Sequence, residues 1–293
     1  MAWWQALILG ALQGVTEFLP ISSSGHLVIF QHFFHFEEGH NAQAIFFDGI
    51  LHLGTMVAVL LYFRRDLQQL AQQWRSRSKA SINTAGATTQ QAASALWPGS
   101  IKDFCWLGVL LGLATLPAAV LSLWKAEHIQ NSFNRPWPVT INFLILSAVL
   151  LLTDWLSPGK TTGATMRGWQ ALTIGLAQGA SAIFRGLSRS GMTISMSLLV
   201  GLERTWAVRF SFMMSVVASG GLGLLGILRA LKDPQRQEWL NPEFLGLTVL
   251  GVVTSGVVGY LTIDPLISFV RKARLRWFAL YLMVVSLIVM VYI

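Results

Sequence analysis

Apolar residues along most of this chain do not alternate with polar ones; they run on without interruption. Six such runs are long enough to cross a bilayer, which takes about 20 residues. They cover 43–63, 104–124, 137–156, 206–228, 244–270 and 277–293. Trp106, Trp124, Trp137, Trp155, Trp206 and Trp277 fall at or near their ends, where interfacial aromatics are expected. Four shorter apolar pieces remain. Residues 3–19 and 21–35 are divided at Leu19-Pro20-Ile21, and residues 169–184 and 190–202 are divided around Arg185-Gly186-Leu187. Each pair reads as a re-entrant helical hairpin, tolerated at membrane depth only when buried in protein or facing a cavity. The expected fold class is an all-α integral membrane protein, one domain over 1–293, with six transmembrane helices and two re-entrant hairpins.

The two broken segments share a sequence. Gln13-Gly14 corresponds to Gln178-Gly179, and Ser22-Ser23-Ser24-Gly25 to Ser188-Arg189-Ser190-Gly191, with one residue inserted between. Paired interrupted helices in the two halves of a membrane protein point to a site at the interface of the repeats. The copies differ in charge: the first carries Glu17 and His26, the second Arg185 and Arg189.

Composition sharpens this picture. The chain is 54% hydrophobic and 12% charged, the latter about half of what a soluble domain carries. Its net charge of +8 sits in loops between spans, so it reads as membrane orientation rather than a nucleic-acid partner. Twelve basic residues occupy loops 64–103, 157–169 and 271–276, whereas the alternate loops 125–136 and 229–243 hold five, and segment 36–42 is acidic through Glu37 and Glu38. The positive-inside rule then sets both termini on the outer side. The first hairpin enters from outside and the second from inside, each followed by three spans. That is an inverted-topology repeat of about 1–156 on 165–293, with the broken tips meeting near mid-membrane. Segment 75–100, rich in Ser, Ala, Thr and Gln, reads as a mobile cytoplasmic loop. Asp264-Pro265 reads as a kink in the fifth span. Cys105 is the one cysteine, which leaves no disulfide framework or thiol metal site.

Candidate chemistry gathers at the repeat. A carboxylate at membrane depth costs about 3 kcal/mol, so Glu17 is a functional candidate. Gln13 lies four residues before it on the same helix face, and the two offer oxygen ligands to a hard divalent cation, Mg²⁺ or Ca²⁺. Such a pair needs water or substrate oxygens to complete it, as phosphate-bound Mg²⁺ usually does. Ser22, Ser23 and Ser24 precede the second short helix, where serine serves either as an ordinary N-cap or as part of a phosphate site. Ser188 and Ser190 do the same from the other copy, and Arg189 adds a guanidinium able to grip phosphate oxygens in pairs. Arg185 either reaches this site or extends to the cytoplasmic interface. His26 follows Gly25 within a helical turn of Ser22 and Ser23, a placement that suits acid–base or nucleophilic work. His52, in the first span, reads equally as site or core. Together these residues describe an anion site with a hard-metal edge, reached by a membrane-embedded, phosphorylated lipid.

The motifs resemble those of the undecaprenyl-diphosphate phosphatases, the bacitracin-resistance phosphatase type, from about residue 5 to the C-terminus. One is Gln13-Gly-Val-Thr-Glu17-Phe-Leu-Pro-Ile-Ser22-Ser23-Ser-Gly-His26; the other is Arg185-Gly186-Leu187-Ser188-Arg189-Ser190-Gly191-Met192-Thr193. Phe47-Asp48, Leu51-His52-Leu53-Gly54-Thr55 and Phe63-Arg64-Arg65-Asp66 are also similar. The second motif departs at Arg185, where the family has Pro, and the first uses Gln13 where Glu also occurs. The resemblance implies hydrolysis of a C55 polyprenyl diphosphate to the monophosphate and inorganic phosphate, returning the lipid carrier to cell-wall synthesis. It implies that Glu17 and Gln13 bind metal or position water. Arg189 with Ser188, Ser190 and Thr193, supported by Ser24 and Arg185, would bind the diphosphate. His26 and either Ser22 or Ser23 would supply the acid–base or nucleophilic function. Attack by metal-activated water and a covalent phospho-intermediate both remain open. The implied setting is the bacterial inner membrane, with the site opening to the periplasm; membrane lipids are the other partners, and a homodimer is allowed but not specified. The competing reading is a polyprenyl-phosphate or anion transporter or flippase, which shares broken inverted repeats but has no need of a Glu17–His26–Ser group.

Overall fold

The computed structural model describes residues 1–33, 41–68, 72, 101–124, 136–155, 159–272 and 274–292. Segment 75–100 and the acidic pair Glu37–Glu38 lie outside the described residues. The chain begins with two short helices, α1 (Trp3–Phe18) and α2 (Ser23–Phe33). Three long ones follow: α3 (Asn41–Tyr62), α4 (Ile101–Trp124) and α5 (Pro136–Asp154). A second short pair, α6 (Gly168–Ile183) and α7 (Arg189–Leu199), precedes α8 (Arg204–Lys232), the one-turn α9 (Arg236–Trp239), α10 (Pro242–Arg271) and α11 (Leu275–Tyr292). Among the described residues there is no strand, only an isolated parallel bridge between Thr161 and Leu202.

Among the described residues, six helices are long and apolar enough to cross a membrane: Gln43–Tyr62, Cys105–Ser122, Trp137–Asp154, Arg204–Lys232, Pro242–Val270 and Leu275–Tyr292. They match the expected runs, with one instructive difference. The fourth begins before the expected 206–228 because Glu203 caps it, accepting hydrogen bonds from the Thr205 and Trp206 backbone N–H groups at 3.0 and 2.9 Å, and it runs on to Lys232. Trp206 departs from the interfacial role assigned to it. It is fully buried, and its indole N–H donates to the Met166 sulfur at 3.4 Å, whereas Trp155 and Trp277 are 87% and 58% exposed. Pro265 does not end α10, which continues to Arg271. The adjacent Asp264 accepts a hydrogen bond from the Tyr62 hydroxyl and so ties α10 to α3.

The short helices break where the sequence predicts. At 16 and 11 residues, α1 and α2 are about 24 and 16 Å long, less than the roughly 30 Å hydrocarbon core. Helices α6 and α7 have the same two lengths.

Packing couples the two halves. Helix α1 lies along α10 and α6 along α4; α3 packs on α8 and α10, and α5 on α11. Close approach requires glycine at the first of these contacts. A Cβ on Gly14 would lie 2.7 Å from the Ser255 carbonyl oxygen and 2.8 Å from the Gly259 nitrogen. The larger core includes Phe18, Phe143, Ile194, Phe210 and Phe212, while a second cluster gathers Leu9, Leu27, Phe47, Leu51 and Phe244.

Substituting Gly14 by Val should therefore force α1 off α10 and lower the thermal unfolding midpoint in detergent, with overpacking costing about 1–3 kcal/mol. Gly246→Ala meets nothing within 4 Å of the added Cβ and should leave that midpoint unchanged. Equal shifts for the two variants would contradict the close α1–α10 contact.

Candidate active site

The two breaks differ in construction but end alike. In the first, Pro20 has no N–H to continue α1, and Ser22 takes the left-handed backbone at φ 71°. Its hydroxyl then accepts the Gly25 N–H at 3.2 Å, so Ser22 serves as the cap of α2. Ser23 begins the helix, placing Ser24 and Gly25 in its first turn rather than ahead of it. In the second, Gly186 turns the chain at φ 98°, a position where a Cβ would also lie 2.7 Å from the Val139 carbonyl oxygen. Ser188 caps α7 by accepting the Gly191 N–H at 3.1 Å. The breaks touch: the Ser190 hydroxyl donates to the Leu19 carbonyl at 2.9 Å.

Glu17 is buried where they meet. One carboxylate oxygen pairs with the Arg189 guanidinium and accepts from the Ser219 hydroxyl at 3.3 Å. The other accepts from Ser23 at 2.6 Å and from the Gln13 amide at 3.0 Å, with the His52 Nε2 at 3.6 Å. On its far side the His52 ring meets the Asp48 carbonyl through Nδ1 at 2.8 Å. Asp48 is itself buried, accepts from Gln31 at 3.0 Å, and lies close enough to Arg185 for their charges to interact. Arg185 thus points into the protein rather than to the membrane surface. Two buried polar atoms at this centre make no hydrogen bond among the described residues: the Gln13 carbonyl oxygen and the Arg189 Nη1.

The structure divides the residues expected from sequence. Gln13, Glu17, Ser23 and Arg189 come together. Ser22, Ser188 and Ser190 are engaged in capping and in joining the breaks, and the Ser24 hydroxyl lies 3.4 Å from that of Ser22. Thr193 bonds back to the Arg189 carbonyl at 2.8 Å and contacts the Ser211 hydroxyl at 2.7 Å. His26 does not face Glu17. Its Nδ1 meets the Ser22 carbonyl at 2.7 Å, its Nε2 the Tyr281 hydroxyl at 2.9 Å, and its ring stacks on Tyr281. Three residues were not foreseen as site members. Ser219 and Tyr281 sit in apolar spans more than 200 positions from Glu17, and only a polar side chain inside an apolar run hinted at them. Asp48 carried a clearer signal, a second acid at membrane depth four residues before His52.

The sequence profile of the bacitracin resistance protein BacA family matches residues 6–288. The chain belongs to the BacA family. It is similar to an undecaprenyl-diphosphatase of Rubrobacter xylanophilus, 37% identical over 277 residues that make up 94% of this chain and 93% of that one. It also resembles proteins of that name from Korarchaeum cryptofilum (36% identical) and Alcanivorax borkumensis (34%), each covering 98% of this chain and 97% of the relative. The BacA match includes both breaks and every residue around Glu17.

The Glu17–Arg189 pair generates a test that needs no substrate. Removing one member of a buried pair strands the other and costs about 3–5 kcal/mol, while removing both costs less. Arg189→Met should lower the unfolding midpoint, and adding Glu17→Gln should recover part of the loss. Strictly additive losses would mean that the two side chains do not pair.

Proposed function

We propose that this protein hydrolyses undecaprenyl diphosphate to undecaprenyl phosphate and inorganic phosphate, renewing the lipid carrier of cell-wall synthesis and so conferring bacitracin resistance. The observation that carries this reading is the Glu17 centre. A carboxylate holds a serine hydroxyl on one side and an arginine on the other, and that arginine keeps one buried nitrogen, Nη1, without a partner among the described residues. A carrier needs the arginine to hold phosphate, but has no use for a serine whose proton rests on a carboxylate.

In the mechanism we favour, Arg189 binds the terminal phosphate through paired N–H donors. The Ser23 oxygen attacks its phosphorus and gives its proton to Glu17, and the bond to the bridging oxygen breaks to release undecaprenyl phosphate. Glu17 passes that proton to the departing phosphate; water then attacks the seryl phosphate and gives a proton to the freed carboxylate, which returns it to the Ser23 oxygen as inorganic phosphate leaves. His52 holds the carboxylate in place. His26 is poised against Tyr281, where it supports the α2 break rather than the attacking group. Arg185, facing Asp48, lies one layer behind and contributes positive charge to the diphosphate. Ser188, Ser190 and Thr193 support this arrangement by fixing the second break.

A divalent cation fits the same centre. The Gln13 carbonyl oxygen is a buried acceptor without a partner among the described residues, one turn from Glu17. These are hard oxygen ligands suited to Mg²⁺ or Ca²⁺. No group of three or more His, Cys, Asp or Glu able to hold a metal occurs among the described residues, so diphosphate oxygens would complete the set. When bound, the ion would neutralise phosphate charge.

The matched packing of α1 on α10 with α6 on α4 supports an inverted repeat, in which α1–α2 and α6–α7 are re-entrant hairpins from opposite faces. With the loop charges, it supports a reading in which both termini and the site's opening lie on the periplasmic side of the inner membrane.

Phosphate release from detergent-solubilised C55 diphosphate tests the function. Wild type should turn over and lose activity in EDTA; Glu17→Gln and Ser23→Ala should each fall at least about 100-fold, as loss of nucleophile or base does. Full activity in Ser23→Ala would move the attack to water, and lipid binding without release in wild type would favour a carrier. Orientation has its own test. In a Cys105→Ser background, an impermeant maleimide should label Gln235→Cys in intact cells and Lys160→Cys only after permeabilisation. The opposite pattern would invert the topology.

A further inference from the structure

A hollow of about 650 Å³ lies at the turn between α10 and α11, lined by Phe269, Lys272, Arg274, Arg276 and Trp277. It is remote in sequence from the Glu17 centre, and none of its residues takes part in the reaction above. We infer that it is a binding site for the phosphate headgroup of an anionic phospholipid.

Placement, charge and shape support this together. The hollow joins the ends of two helices long and apolar enough to cross a membrane, and the ends of such helices meet the lipid headgroups. Trp277 and Phe269 are 58% and 39% exposed and offer flat apolar faces to the upper part of acyl chains. Three cationic side chains line the same space, and basic pockets between helices are the usual means of holding anionic headgroups. One of the three is fixed in advance. Arg276 Nε pairs at 3.0 Å with Asp154, a buried carboxylate at the end of α5 that also accepts the Leu275 backbone N–H at 2.9 Å. Asp154 therefore starts α11 and aims the guanidinium at once, leaving Lys272 and Arg274 uncompensated by any ion pair among the described residues. A general preference for basic loops on one membrane side requires neither the hollow nor the anchored arginine. On the orientation proposed above, the bound lipid belongs to the cytoplasmic leaflet.

The test uses the full-length protein in phosphatidylcholine nanodiscs, titrated with cardiolipin and read by native mass spectrometry of bound lipid. Lys272 and Arg274 are exposed, so Lys272→Gln/Arg274→Gln should fold; Arg276 is left intact because it holds Asp154. Each basic side chain near a lipid surface is worth about a fivefold change in binding, so the double variant should lose roughly an order of magnitude or more of cardiolipin affinity. A control, Arg229→Gln/Lys232→Gln, removes the same charge from the last turn of α8 and should lose little. Equal losses in the two variants, or none in the first, would overturn the site. Millimolar inorganic phosphate should not displace the lipid; full displacement would mean that the hollow reads free phosphate instead.

Discussion

A carboxylate set deep in an apolar helical bundle must be compensated, and the centre of this protein is organised around how that is done for Glu17. An isolated charge there would be prohibitive. Glu17 is instead met by Gln13 from its own helix, Ser23 from α2, His52 from α3, Arg189 from α7 and Ser219 from α8. Each partner comes from a different helix, so satisfying one charge fixes the relative positions of five. The glycines that let α1 close on α10 serve the same end, since they set the depth at which Glu17 arrives.

The two halves have specialised rather than remained alike. Gln13 and Gln178 are counterparts, but where the first half places Glu17 the second has Ala182, and where the first has Ser23 the second has Arg189. A faithful duplicate would have brought two acids, or two bases, to one buried point, where like charges repel. Divergence gives one of each and a pair that is neutral overall. Its trace is visible in Gln178, which is buried with neither amide atom hydrogen-bonded among the described residues. It keeps the shape of the repeat without the carboxylate that gives Gln13 a partner.

Much of this was legible in the sequence, and the boundary is physical. Run length disclosed the six spans because lipid forces backbone groups to be satisfied within each helix. Proline, glycine and serine disclosed the breaks because each has a local conformational consequence. Gln13, Glu17 and Arg189 stood out because polar groups at depth are costly. What failed was direction. Five serines and a threonine near the breaks looked equivalent, and only their caps and tip contacts separate Ser23 from the rest. His26 adjoins the right residues but turns toward Tyr281, a helix the local pattern could not foresee. Ser219 is one hydroxyl in a long apolar run, and Trp206 sits at a span end yet is enclosed by Gly163 and Met166. These depend on contacts between segments far apart in the chain, which periodicity does not encode.

The direction of the short helices gives the centre its sign. Glu17 lies in the last turn of α1, where the helix dipole is negative and works against a carboxylate. The first residues of α2 and α7, Ser23 and Arg189, reach it from the two breaks, so two positive helix ends lie near it, as in many phosphate sites. The surroundings are thus built for an anion larger and more charged than a carboxylate. In the free protein Glu17 takes that anion's place against Arg189. On the function proposed here, a diphosphate would replace it there and take up the guanidinium's charge, so that the carboxylate, which already accepts the Ser23 hydroxyl, becomes a stronger base toward it. The same ion pair that makes the fold affordable would then keep the catalytic base weak until substrate arrives.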